Sequence, residues 1–376
     1  MVYMHVSPTG WFEAVAWAEK APALAWFEGL ISGRAMSLFV LMAGISVALM
    51  TGGSKPHAGE RLRRDRRRLA IRAAVLFPIS LLVDQFSGLN LSILEFYSLW
   101  LLMLIPLLRL SPRTLLSAAA VAAIVLPLFS FTVMNFGRDW FISPFSGSGA
   151  AVHGLALLWT PADWPLKLKQ LLFGGGFQTP YALPLLLAGL AIGRLDLRSP
   201  GVRRGLAIAG GVLVVGSWLV SQFALGPLGA GQALADMRAA SGPLLQPWVS
   251  VLTLPPHQLY ALSIPMAPFM LGVGLLLLSG LLTLLQFQRW QSLLWPLTAT
   301  GRLALTWYAA HQVFIQRVAG DPPYAFTLFA GMIVFALVAS PLWLRWCSRG
   351  PLEWLMHRAS LPAVAPLRSA RPHSAD

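Results

Sequence analysis

An all-α fold, a polytopic transmembrane helical bundle, is predicted by three observations. Of the 376 residues, 56% are apolar and only 11% charged, whereas an ordinary soluble domain carries roughly 25% charged residues. Apolar runs of about 20 residues recur, the length that crosses about 30 Å of hydrocarbon at 1.5 Å per residue. The charges, for a formal net of +14, collect between those runs. This composition excludes a soluble globular enzyme, and the 33 Gly, 28 Pro and 15 Trp suit a membrane chain.

Taken in order, the first run, 33–51, carries Ala43, Gly44 and Ala48, small residues that let helices approach closely. An arginine-rich stretch, 52–69, leads to the second run, 70–86. The stretch DQFSGLNLSILEFY then makes a tight turn into the third, 91–110. The fourth is 114–134. A long segment, 135–178, has apolar helical spacing around His153, Trp159 and Trp164. The run 179–195 is short, and 205–225 follows. After a second long segment, 226–263, come 264–287, 296–318 and 324–346. Pro106, Pro127, Pro184 and Pro296 are candidate breaks within runs. The tail 362–376, rich in Pro, Arg, Ser and Ala, is expected to be disordered.

Nine runs give nine full spans. Met1–Val6, reading MVYMHV, has the character of a span end, so a truncated N-terminal span is expected before them, its body encoded upstream. Residues 10–32, with Trp11, Trp17 and Trp26 among Glu13, Glu19 and Glu28, suit an interfacial helix. The organisation expected is an N-terminal membrane half, 1–134, an extracytoplasmic loop, 135–178, a C-terminal membrane half, 179–361, and the tail 362–376.

Cytoplasmic loops are enriched in Lys and Arg. Placing 52–69 in the cytoplasm puts 21 of the 28 Lys and Arg on that side, with every dense basic cluster. The expectation is a bacterial inner membrane protein with a cytoplasmic C-terminus. Its basic runs are read as topology signals and contacts to the lipid bilayer rather than nucleic acid sites. Oligomeric state is not legible.

Polar groups buried in a membrane are expensive and by default functional. Four sets stand out: His5 with Arg34; Asp84 with Glu95; Asn135, Arg138 and Asp139; and Arg302, Thr306, Tyr308, His311, Gln312, Gln316 and Arg317. On a straight helix at 100° per residue, Arg302 and Thr306 share one side while His311 points the opposite way, about 14 Å further along. His311 reads either as a hydrogen-bonded packing residue or as a binding group. Arg302 reads as a headgroup or helix-end cation, or as a ligand for an anion such as a CoA phosphate. The single cysteine, Cys347, excludes an internal disulfide and a Cys-based zinc site. GxSxG, HExxH and GxxxxGK[ST] are absent, and no metal is expected.

ISGRAMSLFVLMAGISVALMTGG, SILEFYSLWLLMLIPLL, LPLLLAGLAIGRLDL, PLTATGRLALTWYAAHQVF and RGPLEWL together resemble the YeiB-like bacterial membrane proteins, the domain-of-unknown-function 418 group. The likeness runs in order along nearly the whole chain. Its more specific elements are GR-x-ALT-x-Y, Gly301–Tyr308, and the terminal GPLEW. Such proteins also resemble the heparan-α-glucosaminide N-acetyltransferase type of membrane acyltransferase over their first half. The resemblance implies a bundle of about ten helices and acyl transfer from a cytoplasmic acyl-CoA to an envelope glycan, lipid or small-molecule acceptor. His5 matches that family's histidine and Arg34 the arginine opening its second span. The LD-x-x-RG motif expected before them is absent, and Glu95 stands where a less acidic residue is expected. On this reading His5 is the base or acyl carrier, Arg34 binds an anion, and Asp84 or Glu95 orients the imidazole. Arg302, Thr306, Tyr308 and His311 are the substrate-binding candidates. The alternative is a transporter or permease for a lipid or hydrophobic solute.

Overall fold

The computed structural model describes residues 34–87, 92–136, 154–173, 179–239, 247–254, 263–318 and 325–361. His5, the segment 10–32, Arg138, Asp139 and the tail 362–376 lie outside them, as do the side chains of Arg34, Gln316 and Arg317. Among the described residues the chain is helical, without strands. Four helices are long and apolar enough to cross a membrane: Gly59–Phe86, Pro112–Val133, Pro200–Leu225 and Met266–Leu284. Ala330–Trp346 and Pro351–Ser360 pass the same test as one pair, bent by 48°. Met36–Met50, Ile93–Leu104 and Thr179–Ile192 are apolar but shorter.

In chain order the helices are α1 (Arg34–Met50), α2 (Gly59–Ser87), α3 (Ile93–Leu104), α4 (Pro112–Phe136), α5 (Trp164–Phe173), α6 (Thr179–Ile192) and α7 (Pro200–Leu225). They continue with α8 (Ala230–Ala239), α9 (Met266–Leu284), α10 (Gln288–Leu293), α11 (Trp295–Arg302), α12 (Ala304–Val318), α13 (Ala325–Trp346) and α14 (Pro351–Ser360). Helix α6 is the hub, packed against α1, α4 and α9. Of its residues only Leu183 is not fully buried. The α1–α6 crossing depends on small residues: a Cβ on Gly44 would run into the backbone of Leu186 and Leu190, and one on Gly189 into that of Leu41. Gly210 and Gly272 face one another in the same way where α7 meets α9. Side chains this small let two backbones touch, which is how helices pack where water supplies no driving force between them. On the outside, Val121, Ile124 and Val125 of α4 and Val212, Val215 and Trp218 of α7 are exposed. Exposed apolar side chains of this kind are what a lipid-facing wall requires.

Three elements differ from expectation. The arginine stretch is not a loop from Gly59 onward: it is the first half of α2, which runs unbroken to Ser87, because Arg is a good helix former. The run 91–110 is α3 followed by a 3-10 turn, Ile105–Arg109, with Pro106 at its start. The run 296–318 is two helices, parted at Leu303. There the N–H groups of Leu305 and Thr306 donate to a side chain, Glu353, instead of to carbonyls one turn back.

Candidate functional site

Asp84 lies near the end of α2 and Glu95 in the first turn of α3, where the N-cap Ser92 Oγ accepts the Leu94 N–H at 3.4 Å. A helix N-terminus favours a carboxylate in its first turn. Both acids are buried, Asp84 4% and Glu95 3% exposed. Their carboxyl groups lie side by side, with the Ser92 backbone beside Asp84. Lys167 of α5 reaches in to meet them, its Nζ 2.5 Å from Glu95 Oε2 and itself 3% exposed. Apart from the contact between the two carboxyl groups, Asp84 Oδ1 and Glu95 Oε1 meet no hydrogen-bond donor. Burial makes an unsatisfied charge costly. Two carboxylates against one ammonium leave the set one positive charge short, a balance that a proton or a cationic ligand group restores.

Helix α12 completes the neighbourhood from the other side, packed against α2. Tyr308 Oη accepts the Ile93 N–H at 2.9 Å and an N–H of Gln312 at 3.3 Å, and Asp84 lies within electrostatic reach of it. The Tyr308 and His311 rings meet edge to face, centroids 5.2 Å apart. Three and four residues on from Tyr308, His311 and Gln312 share its face of the helix. His311 Nδ1 lies 3.1 Å from the Trp307 carbonyl. A carbonyl only accepts, so Nδ1 is the donor in this contact.

Arg302 and Thr306 belong elsewhere. Thr306 Oγ1 donates to Glu353 Oε2 at 2.5 Å, while Glu353 Oε1 accepts the N–H groups of Leu305 at 2.7 Å and Thr306 at 3.0 Å. The Leu352 N–H donates back to Thr306 Oγ1 at 3.2 Å. Glu353 of α14 thereby caps the N-terminus of α12 from outside the helix. Gly350 is part of this joint, since a Cβ there would strike Glu353, Leu303 and Thr306. Exposed Arg302 donates to the Ser348 carbonyl at 3.2 Å. The elements GR-x-ALT-x-Y and GPLEW are thus two halves of one interlock.

The structure therefore brings Asp84, Glu95, Tyr308 and His311 together and separates them from Arg302 and Thr306. Arg34 opens α1. Sequence reasoning passed over three residues that matter. Lys167 was placed in an outer segment by charge, although its position four residues before buried Leu171 puts it on the apolar face of WPLKLKQLLF. Glu353 stands within the GPLEW element, but its capping role left no signal, because its partners lie in another helix. Arg194, just beyond α6, sends Nη1 to the Thr51 carbonyl at 3.1 Å and Nη2 to Thr51 Oγ1 at 2.9 Å and the Leu108 carbonyl at 3.2 Å. A cation there satisfies the carbonyl end of α1.

Residues 237–362 match the family described as a protein of unknown function, DUF418. The match takes in both halves of the interlock together with Tyr308 and His311. No curated protein and no solved structure matches the chain.

Proposed function

For a chain that carries the DUF418 family in its C-terminal part, we propose acyl transfer within the membrane. An acyl group passes from a cytoplasmic acyl-CoA to a hydroxyl or amine of an envelope glycan, lipid or small molecule. The observation that carries this reading is the buried polar cluster of Asp84, Glu95, Lys167, Tyr308 and His311, assembled from four helices. Polar groups at that expense are functional by default. The reading takes the chain as a nine-span protein of the bacterial inner membrane with its C-terminus in the cytoplasm.

A neutral imidazole is the base such chemistry needs. It takes the proton of the acceptor O–H or N–H as the acceptor oxygen or nitrogen attacks the thioester carbonyl. The C–S bond breaks, and the departing CoA thiolate takes the proton back from the imidazolium. His311 is one candidate for this base, and His5 is the second imidazole, supplied by the family resemblance. Asp84 and Glu95 hold the charge of the neighbourhood, and Arg34 serves as an anion contact.

The test is acyl transfer from radiolabelled acetyl-CoA into total membrane extract by membranes carrying wild type, His5→Ala or His311→Ala at equal abundance. Loss of the labelled product in one variant identifies the base. Equal labelling in both and in wild type rejects both histidines, and labelling no greater than in membranes lacking the protein rejects the activity. A transporter is the second reading, favoured by the charge imbalance at Asp84 and Glu95, since carboxylates that exchange a proton are the usual coupling element of transporters. Proton release on adding solute to reconstituted vesicles, abolished by Asp84→Asn, would mark that case.

A further inference from the structure

Helix α14 has two apolar faces, and the bundle uses only one of them. Met356 lies in the core, Leu352 packs against that core, and Ser360 is buried. With Glu353, this side of the helix meets α2 and α12. The residues between point away: Trp354 is 53% exposed, Leu355 41% and Leu361 41%, and Pro351 and Arg358 are exposed with them. Positions 351, 354, 355, 358 and 361 keep the spacing of a single helix stripe. A helix at a water surface turns charged residues outward. The outward stripe of α14 is apolar except for Arg358.

The neighbouring helix shows what medium such a stripe meets. Val334, Val338, Leu342 and Trp346 recur once per turn along α13, all of them exposed, and Trp346 at its end is 79% exposed. The chain then bends by 48° into α14. The bend is fixed, because Trp343 Nε1 donates to the Arg349 carbonyl at 2.9 Å and Arg302 to the Ser348 carbonyl at 3.2 Å. The lipid-facing wall of α13 thus carries on round the corner as Trp354, Leu355 and Leu361.

Charge identifies the level. The Arg358 guanidinium lies over the Trp354 ring, 5.5 Å from its centroid. An indole with a cation beside it suits the boundary where an apolar ring and a charged group each find their own medium. From Arg345 to Arg371 the sequence holds five arginines and one acid, Glu353. That acid faces the bundle, engaged by the start of α12. Basic residues beside a membrane helix are drawn to an anionic leaflet, whereas a second copy of this chain would bring the same positive charge to the face.

We propose that α14 lies at the surface of an anionic leaflet, with Trp354, Leu355 and Leu361 seated where headgroups give way to acyl chains. Helices of this kind sink their apolar face about 5–10 Å into that boundary. Helix α14 is then a wedge between the lipid surface and the start of α12, with Glu353 on one side and Trp354 on the other. The placement holds whether or not the protein transfers acyl groups.

Leu355→Cys and Leu361→Cys, each in a Cys347→Ser background, carry a nitroxide in the full chain reconstituted into nanodiscs of phosphatidylcholine and phosphatidylglycerol. Val338→Cys serves as the lipid-facing reference and Ser54→Cys, in the exposed turn between α1 and α2, as the aqueous one. Collision of the label with oxygen, which concentrates in lipid, is compared with collision with a water-soluble nickel chelate. Both α14 positions should favour oxygen, at a depth between the two references, and should shift toward nickel when phosphatidylglycerol is left out. Nickel access matching Ser54 puts the face in water and overturns the proposal. A depth equal to that of Val338 overturns it by making α14 the rest of a span. Protection from both reagents, with spin coupling between copies, overturns it in favour of a chain contact. An unchanged depth without phosphatidylglycerol removes the anionic leaflet from it.

Discussion

Two carboxylate sites flank helix α12, and they are built on opposite terms. At its beginning Glu353 has both oxygens engaged: Oε1 accepts two backbone N–H groups and Oε2 the Thr306 hydroxyl. Further along, Tyr308, with the His311 ring against it, lies near Asp84 and Glu95, whose buried oxygens Oδ1 and Oε1 meet no donor apart from the neighbouring carboxyl group and whose charge is balanced only in part by Lys167. Each site brings in a distant element, but only one is complete. A satisfied buried acid fastens helices together. The one left incomplete is the one on which the proposed function rests.

The comparison breaks most visibly at Lys167. Lys167→Met leaves two buried carboxyl groups without their ammonium, and thermal unfolding in detergent should show a loss of about 3–5 kcal/mol. Asp84→Asn acts the other way: it removes the surplus charge and should leave stability unchanged or raised while abolishing function. A stability loss in Asp84→Asn as large as that in Lys167→Met would mean the acid pair is structural after all.

At the complete site, Glu353→Ala strips three hydrogen bonds from the start of α12 and should cost about 2 kcal/mol. Glu353→Gln, which keeps an acceptor oxygen, should cost less. Hydrogen exchange reads this directly, with faster exchange at Leu305 and Thr306 and none gained at Ile93. Tyr308→Phe probes the link between the two regions. Orphaning the Ile93 N–H should cost about 1 kcal/mol and loosen the start of α3 in the same exchange experiment. The smallest effect belongs to Arg63→Ala, which removes an exposed pair with Glu60 and should shift stability by no more than about 0.5 kcal/mol. A larger change in the midpoint of unfolding would show that the arginine-rich half of α2 carries load.

The helical character was legible because apolar runs of membrane length have few other uses. Gly44 and Ala48 were legible as contact residues, and Gly44 does sit at the α1–α6 crossing. In sequence the eighth run reads as one straight helix with Arg302 and Thr306 opposite His311, whereas the run is broken at Leu303. That break was not legible: it is made by a carboxylate 47 or 48 residues away from the N–H groups it captures. Lys167 was hidden for a related reason. An ammonium in a polar-looking segment reads as solvent-facing, and only the packing of α5 shows that it turns inward. Asp84 and Glu95 stood out as acids at a span end, yet their closeness to Tyr308 depends on α12 lying against α2.

With its 14 residues, helix α6 is about 21 Å long, shorter than the roughly 30 Å hydrocarbon slab. Alone in lipid it would force the bilayer to thin around it. Enclosed by α1, α4 and α9, it meets protein instead of acyl chains. Its place in the bilayer is therefore a product of assembly order. Helices α1 and α4, synthesised earlier, form two walls as it emerges, whereas α9 closes the third only after residue 284 has been made. In that interval the nascent chain presents an undersized apolar rod, and there insertion factors and quality-control proteases have most to recognise.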